Sequence, residues 1–316
     1  MSDRGDAIKY EPNVAGNVAF GVIYAILGVI FSFRIYRHKN KWALCLPIGA
    51  FASSIGFFCR LGIDPKDLLV PLFVVQNILI IATPSAFLAF NYMLYGRLIS
   101  AVDPQFGANG SQSRLEKSRY SFIPPRIVGR AFIWSDIITF LLQVAAGSMI
   151  GNAGDNRSLI SIGDKLFLLG VCAQGASYSL FSILLSIALA RLLTERQKTR
   201  FDLTRMSWIG LDKSTALIFS CLYFSSLFII IRSVYRIVEF VQGHDGYLIS
   251  KEVFLFALDA VPLVFAIGIW AIVWPPVLLE KISVHVREGL DAYSMNNGDA
   301  QLRISSNESA ELSHLV

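Results

Sequence analysis

Residues 215–237 read TALIFSCLYFSSLFIIIRSVYRI, and no charged side chain interrupts them before Arg232. As a helix rising 1.5 Å per residue, the run is about 35 Å long. That is enough to cross a hydrocarbon core about 30 Å thick. Its neighbour, residues 253–274, reads VFLFALDAVPLVFAIGIWAIVW and holds a single acid, Asp259. In lipid each backbone N–H and C=O needs a partner within the segment, so runs of this kind are read as helices. Five further runs of the same character precede them, at Val14–Phe33, Trp42–Cys59, Leu68–Tyr95, Ala131–Ile150 and Leu166–Ala190. With Thr215–Ile237 and Val253–Trp274 they make seven. The expected fold is all-α, a polytopic membrane protein built as a seven-helix bundle over residues 1–275, followed by a tail over 276–316.

Composition agrees. Of 316 residues, 54% are apolar and 16% charged, against about 25% charged in soluble domains. This excludes a disordered chain, a nucleic-acid binder and an ordinary cytosolic enzyme. The formal net charge of +5 matters less than where the charges lie. Cys45, Cys59, Cys172 and Cys221 lie in or at the ends of apolar runs and form no C-x-x-C pair. Neither a zinc site nor a disulfide framework is therefore supported. The opening MSDRGDAIKYEPN lacks an apolar stretch behind a basic stub, so a cleavable signal peptide is not expected.

The connecting segments predict an orientation. With the N-terminus outside, 19 of the 28 Lys and Arg residues fall in inner segments and nine in outer ones. Basic residues resist translocation, which favours an outer N-terminus and a cytoplasmic C-terminus. The longest loop, 96–130, is polar around GANGSQS and then basic, and reads as a solvated cytoplasmic linker. After Pro275–Pro276, Leu279, Ile282, Val286 and Tyr293 fall near one helical face, as in a helix lying in the inner interface. The remainder of the tail has a disordered composition. Pro71 and Pro84 predict a kink or tilt in the third run, and Pro47 and Pro262 mark kinks in the second and seventh. Trp134, Trp270 and Trp274 near run ends fit interfacial anchors. Asn156-Arg-Ser158 is a glycosylation sequon in an expected outer loop, too close to the membrane to be expected to carry a glycan.

Polar residues within the runs are the candidate site. A charge in a span usually faces the protein interior or a wet cavity. The plainer role is to tie helices together, as amides and serines commonly do. Asp136, Phe140, Gln143 and Gly147 recur on one face of the fourth run, and Gln174 is central in the fifth. In the third, Gln76 and Thr83 share a face, with Asn91 two turns on. Arg232, Arg236 and Glu239 share a face of the sixth run, and Glu252, Phe256 and Asp259 repeat that spacing on the seventh. Because these runs are antiparallel through a short loop containing Gly243 and Gly246, Arg232 lies at the depth of Asp259 and Glu239 at that of Glu252. Pairing of Arg232 or Arg236 with Asp259 is expected, since an unpaired buried charge costs several kcal/mol.

Taken together these residues resemble the fungal RTA-like lipid-translocating exporter family, associated with aminocholesterol and sphingoid-base resistance. The resemblance covers most of the chain. It is carried by Tyr10, Pro12, Asn17 and Phe20; by Gln76, Pro84, Tyr92, Gly96 and Arg97; by Asp136, Gln143 and Gly147; and by Gly163, Gly170 and Gln174. The most specific block is Arg232, Tyr235, Arg236, Glu239, Gly243, Gly246, Glu252, Asp259 and Pro262. Two departures stand out. Where the family pattern E-x-x-G-Y-x-x-R is expected, this chain has Ser53, Gly56, Phe57 and Arg60, and Phe256 replaces a tyrosine before the seventh-run acid. The resemblance implies a seven-span protein, typically of the plasma membrane, that moves amphipathic lipids such as sphingoid bases. Some relatives resemble porphyrin or haem transporters.

Three functions follow as alternatives. In a lipid translocase, Asp136, Glu239, Glu252 or Asp259 would hold a sphingoid-base ammonium, Gln143 and Gln174 would meet its hydroxyls, and the Arg232–Arg236 pair would complete the site. No cofactor is expected, and Gly210-Leu-Asp-Lys213-Ser214 lacks the spacing of a phosphate loop. In a lipid sensor or receptor the same topology would signal without flux, though D-R-Y and N-P-x-x-Y signatures are missing from the sequence. An intramembrane enzyme is disfavoured, because His38, His244, His285 and His314 lie outside the runs and far apart. The expected partners are membrane lipids and an amphipathic lipid substrate, with no nucleic acid.

Overall fold

A computed structural model describes residues 13–62, 70–103, 124–152, 154, 156–200, 213–242, 252–286 and 288. Helix α1 (Val14–His38) begins at Asn13, whose side-chain oxygen accepts a hydrogen bond from the Gly16 amide at 3.1 Å, satisfying one of the donors that a helix start leaves free. It ends at Lys39, held in the left-handed region at φ 54°. A short 3₁₀ turn, Lys41–Leu44, leads into α2 (Cys45–Leu61). Next come α3 (Val70–Val102), α4 (Pro125–Asn152), α5 (Arg157–Arg200) and α6 (Lys213–Gln242). The seventh helix, α7, is composite: one α-turn (Glu252–Phe254), a π-helical stretch (Leu255–Ala260) and an α-helix (Val261–Ile272). A last helix, α8, covers 275–286. No strand occurs among the described residues.

Seven of these helices are long and apolar enough to cross a membrane, so the chain is a multi-pass membrane protein. Sequence neighbours pack side by side, and α7 returns against α1 to close the ring. Small residues let the helices approach. A Cβ on Gly28 would come within 2.9 Å of the Phe51 ring, and one on Gly49 within 2.6 Å of Phe87. Large apolar side chains face both ways. Phe31, Leu46, Phe181 and Trp270 are buried, while Val29, Phe33 and Ile272 are more than half exposed. In water that outer surface would be a liability; in a bilayer it is the wetted one.

Two expectations need correction. Trp270 and Trp274 are not interfacial anchors. Trp270 is buried edge-on against Phe90, and Trp274 is buried against Phe31. A run end borders the interface only on its outer face, and both rings turn inward. Only Trp134, 64% exposed, faces outward. Gly147 also leaves the buried face of α4, with nothing within 4 Å of the position of its Cβ. There α4 leans on α5, so Ala146 and Ile150 are the side that meets Gly163.

Helix α8 lies on the bundle's basic end. Ile282 is buried, and Leu279 and Val286 pack on the core beside it, while Tyr293 falls outside the described residues. The sequon asparagine, Asn156, caps α5: its side-chain oxygen accepts from the amides of Ser158 and Leu159 at 3.2 and 3.4 Å.

Candidate functional site

The sixth and seventh helices bring their charges together. Pro262 has no N–H for the carbonyl one turn back. Just before it the helix widens into the π stretch, where the Val261 amide reaches back to the Phe256 carbonyl. Asp259 sits near the end of that stretch and is 4% exposed. Arg236 grips it with two hydrogen bonds, Nε to Oδ1 at 2.8 Å and Nη2 to Oδ2 at 2.6 Å. Arg232 Nε lies 2.8 Å from the same Oδ1. The third nitrogen of Arg236, Nη1, reaches Glu239 Oε2 at 3.0 Å, and the Tyr235 hydroxyl donates to Glu239 Oε1 at 3.1 Å. Two guanidiniums and two carboxylates thus balance inside the bundle. Tyr24 of α1 adds a tie across the ring closure, donating to the Ala260 carbonyl at 3.0 Å. The expected pairing of Asp259 is met by both arginines. The Glu252 side chain lies outside the described residues.

Beside this cluster is an aromatic stack. Phe256 stacks on Phe20 at 5.3 Å, and Phe57 lies 5.8 Å from both Phe20 and Tyr24. The two phenylalanines at the positions where tyrosines were expected therefore pack ring to ring, and a hydroxyl there would have to find a partner within an apolar layer.

The amides lie on α3, α4 and α5. Gln143 Nε2 donates to Gln174 Oε1 at 3.1 Å, and Gln174 Nε2 donates to Ser85 Oγ at 3.0 Å. Gly170 makes this contact possible, since its Cβ would stand 2.7 Å from Gln143 Cγ. Gly170→Val is expected to cost about 1–3 kcal/mol through overpacking and to break the amide chain. Gly268→Ala, where nothing stands within 4 Å of the new Cβ, should leave the thermal midpoint in detergent near the parent value. Gln76 and Thr83 are both buried, but Thr83 donates to the Leu79 carbonyl of its own helix at 2.7 Å, not to Gln76.

Asp136 differs from the other buried acids. It is 2% exposed, no ion pair with a described residue neutralises it, and its oxygens make no hydrogen bond of good geometry. The Tyr92 hydroxyl interacts with it and also with Ser177. Those two hydroxyl oxygens are likewise buried without a hydrogen bond of good geometry. Buried oxygens of this kind are rare, and each calls for a reason. One turn away, Asn91 donates to Tyr178 and Ser225 at 3.0 Å each, and Tyr178 shares a 2.9 Å hydrogen bond with Ser226. Tyr178, Ser177 and the Ser225–Ser226 pair escaped the sequence reading. Their one signal was position: Ser177 and Tyr178 lie one turn beyond Gln174.

At the basic end a cavity of about 910 Å³ opens between α3, α4 and α8. His38, Arg97 and Arg130 line it together with one acid, Glu280, and Tyr92 is part of its wall. Arg97 lies over the Trp42 ring at 4.7 Å.

Comparison with known proteins places this geometry. No solved structure matches the chain. Protein RTA1 of Saccharomyces cerevisiae is 23% identical over 305 residues, covering 89% of this chain and 88% of that protein. Protoporphyrin uptake protein 1 of the same yeast is 26% identical, covering 82% of this chain and 88% of its own length. The sphingoid long-chain base transporter RSB1, also from that yeast, is 25% identical, covering 81% of this chain and 69% of its own. The family model described as RTA1 like protein matches residues 46–282, a stretch that contains α2 through α7 and all the buried charges above, and the chain belongs to that family.

Proposed function

We propose that this protein is a non-enzymatic translocator of cationic amphipathic lipids of the sphingoid-base class, with Asp136 as the residue that receives the ammonium. The observation that carries the reading is the state of the acids. Asp259 and Glu239 are neutralised by arginine, whereas Asp136 is buried with no ion pair to a described residue and the Tyr92 hydroxyl against it. A headgroup that places an ammonium beside hydroxyls matches a carboxylate that meets the Tyr92 hydroxyl, itself in contact with Ser177. Gln143 stands seven residues from Asp136 on α4, about 10 Å along the axis. It and Gln174 therefore meet a moving headgroup after Asp136 rather than together with it. Arg232, Arg236, Glu239, Glu252 and Asp259 then belong to the frame of the pathway. The hydrocarbon tail stays in lipid, along the apolar outer face. The name of the sphingoid-base transporter relative supports the substrate class.

The proposed orientation has the N-terminus outside and the C-terminus in the cytoplasm, at the plasma membrane, so that the basic cavity faces inward. The role is resistance to toxic lipid-like compounds. Purified protein in liposomes should carry a labelled sphingoid base across the bilayer faster than empty liposomes do. A rate equal to that of empty liposomes under every imposed gradient would refute the proposal.

A second reading rests on the cavity itself. Arg97, Arg130 and His38 around some 910 Å³ suit an anionic tetrapyrrole, in keeping with the name of the protoporphyrin uptake relative. Protoporphyrin uptake by the same liposomes, abolished by Arg130→Gln and untouched by Asp136→Asn, would favour it.

A further inference from the structure

A second opening lies on the lipid-facing side of the basic end, and the lipid pathway proposed above does not use it. It is a groove of about 870 Å³ between α1, α7 and α8, closed at one point by Leu217 of α6. Its walls are apolar and turned toward the bilayer: Phe33 is 62% exposed and Ile272 76%. Its mouth is cationic, with Arg34, Arg37 and His38 in succession at the end of α1. Among the described residues no acidic side chain lines it. Arg34 is held over the Trp274 ring at 5.7 Å, which fixes the guanidinium at the groove edge. Trp274 lines the same groove, is 5% exposed, and its indole N–H has no hydrogen-bond acceptor in the protein.

We propose that this groove is a binding site for an anionic phospholipid, with one acyl chain against Phe33 and Ile272 and the phosphate at Arg34, Arg37 and the Trp274 N–H. An unsatisfied buried donor with the Arg34 guanidinium over its ring, and Arg37 lining the same groove, is matched by the several acceptor oxygens of a phosphate. A cationic lipid is repelled there, so the groove is not a second substrate site. A soluble phosphate lacks the chain that the walls would hold. On the orientation that the charges favour, the groove faces the cytoplasmic leaflet, where anionic lipids concentrate.

The test is native mass spectrometry of the purified full-length protein, released from micelles holding equal amounts of dioleoylphosphatidylserine and dioleoylphosphatidylcholine. Wild type should retain the serine lipid in several-fold preference. Each of Arg34→Gln and Arg37→Gln should reduce that preference roughly fivefold, in line with the contribution of a single basic residue near a charged leaflet. Trp274→Phe keeps an aromatic ring at the position and removes the N–H, and should lower it as well. Lys281→Gln removes an exposed charge at the same end outside the groove and should leave the preference intact. Equal binding of the two lipids by wild type would overturn the proposal. So would an unchanged preference in Arg37→Gln, whose exposed side chain makes misfolding no explanation. Loss of the preference in Lys281→Gln, or displacement of the lipid by millimolar inorganic phosphate, would likewise contradict a shaped lipid site.

Discussion

Asp259→Asn is expected to destabilise the bundle by about 3–5 kcal/mol, the usual consequence of removing one partner from a buried charge pair. The sequence alone points to a milder result, in which the acid serves substrate and its loss spares the fold. The geometry reverses that expectation. Asp259 holds two guanidiniums, through contacts of 2.8, 2.6 and 2.8 Å, and asparagine would leave the cluster with one excess positive charge inside the membrane. Removing Arg232 as well restores neutrality and leaves the Arg236–Glu239 pair at 3.0 Å in place. The double variant Arg232→Gln/Asp259→Asn should therefore be more stable than Asp259→Asn alone. Thermal unfolding followed by size-exclusion chromatography in detergent reads both. If Asp259→Asn melts within a degree or two of wild type, the cluster does not hold α6 to α7.

Asp136→Asn should show the opposite pattern. No ion pair is lost, the Tyr92 hydroxyl can still donate to the amide oxygen, and an amide is cheaper to bury than a charge, so the midpoint should stay level or rise. Transport should fall by about 10- to 100-fold, the equivalent of a hydrogen bond to a charged group at about 1.5–3 kcal/mol. Tyr92→Phe, which removes one hydroxyl from the same cluster and keeps the ring packed on Phe181 at 4.7 Å, should produce a smaller loss in the same direction. Equal losses of expression and of flux in Asp136→Asn would mark the acid as structural.

These two acids also show what the amino-acid sequence could and could not disclose. Asp259 was legible because two antiparallel runs joined by a short connection fix which residues share a depth, which sets Arg232 level with Asp259 and Arg236 one turn away. The π stretch that carries Asp259 was not legible. Pro262 announces a break in hydrogen bonding but not the direction in which the helix adjusts. Asp136 was legible as an acid on a polar face, yet Tyr92 and Ser177 lie on α3 and α5. Their meeting depends on helix order in space, which periodicity along one helix does not contain. The same limit explains Trp270 and Trp274, since a position near a run end gives a height in the membrane but not a facing. The Tyr24 bond to Ala260 closes a ring across 236 residues, a separation at which local pattern carries no information.

The central claim is that Asp136, rather than the arginine-bound acids, meets the lipid's charge. Its most direct measurement compares, in liposomes of identical composition, the flux of a labelled sphingoid base and of its uncharged N-acyl counterpart through wild type and Asp136→Asn. The account predicts that wild type moves the cationic lipid faster and that the variant moves the two at the same low rate. A variant that keeps both the wild-type rate and the preference for the ammonium would contradict it.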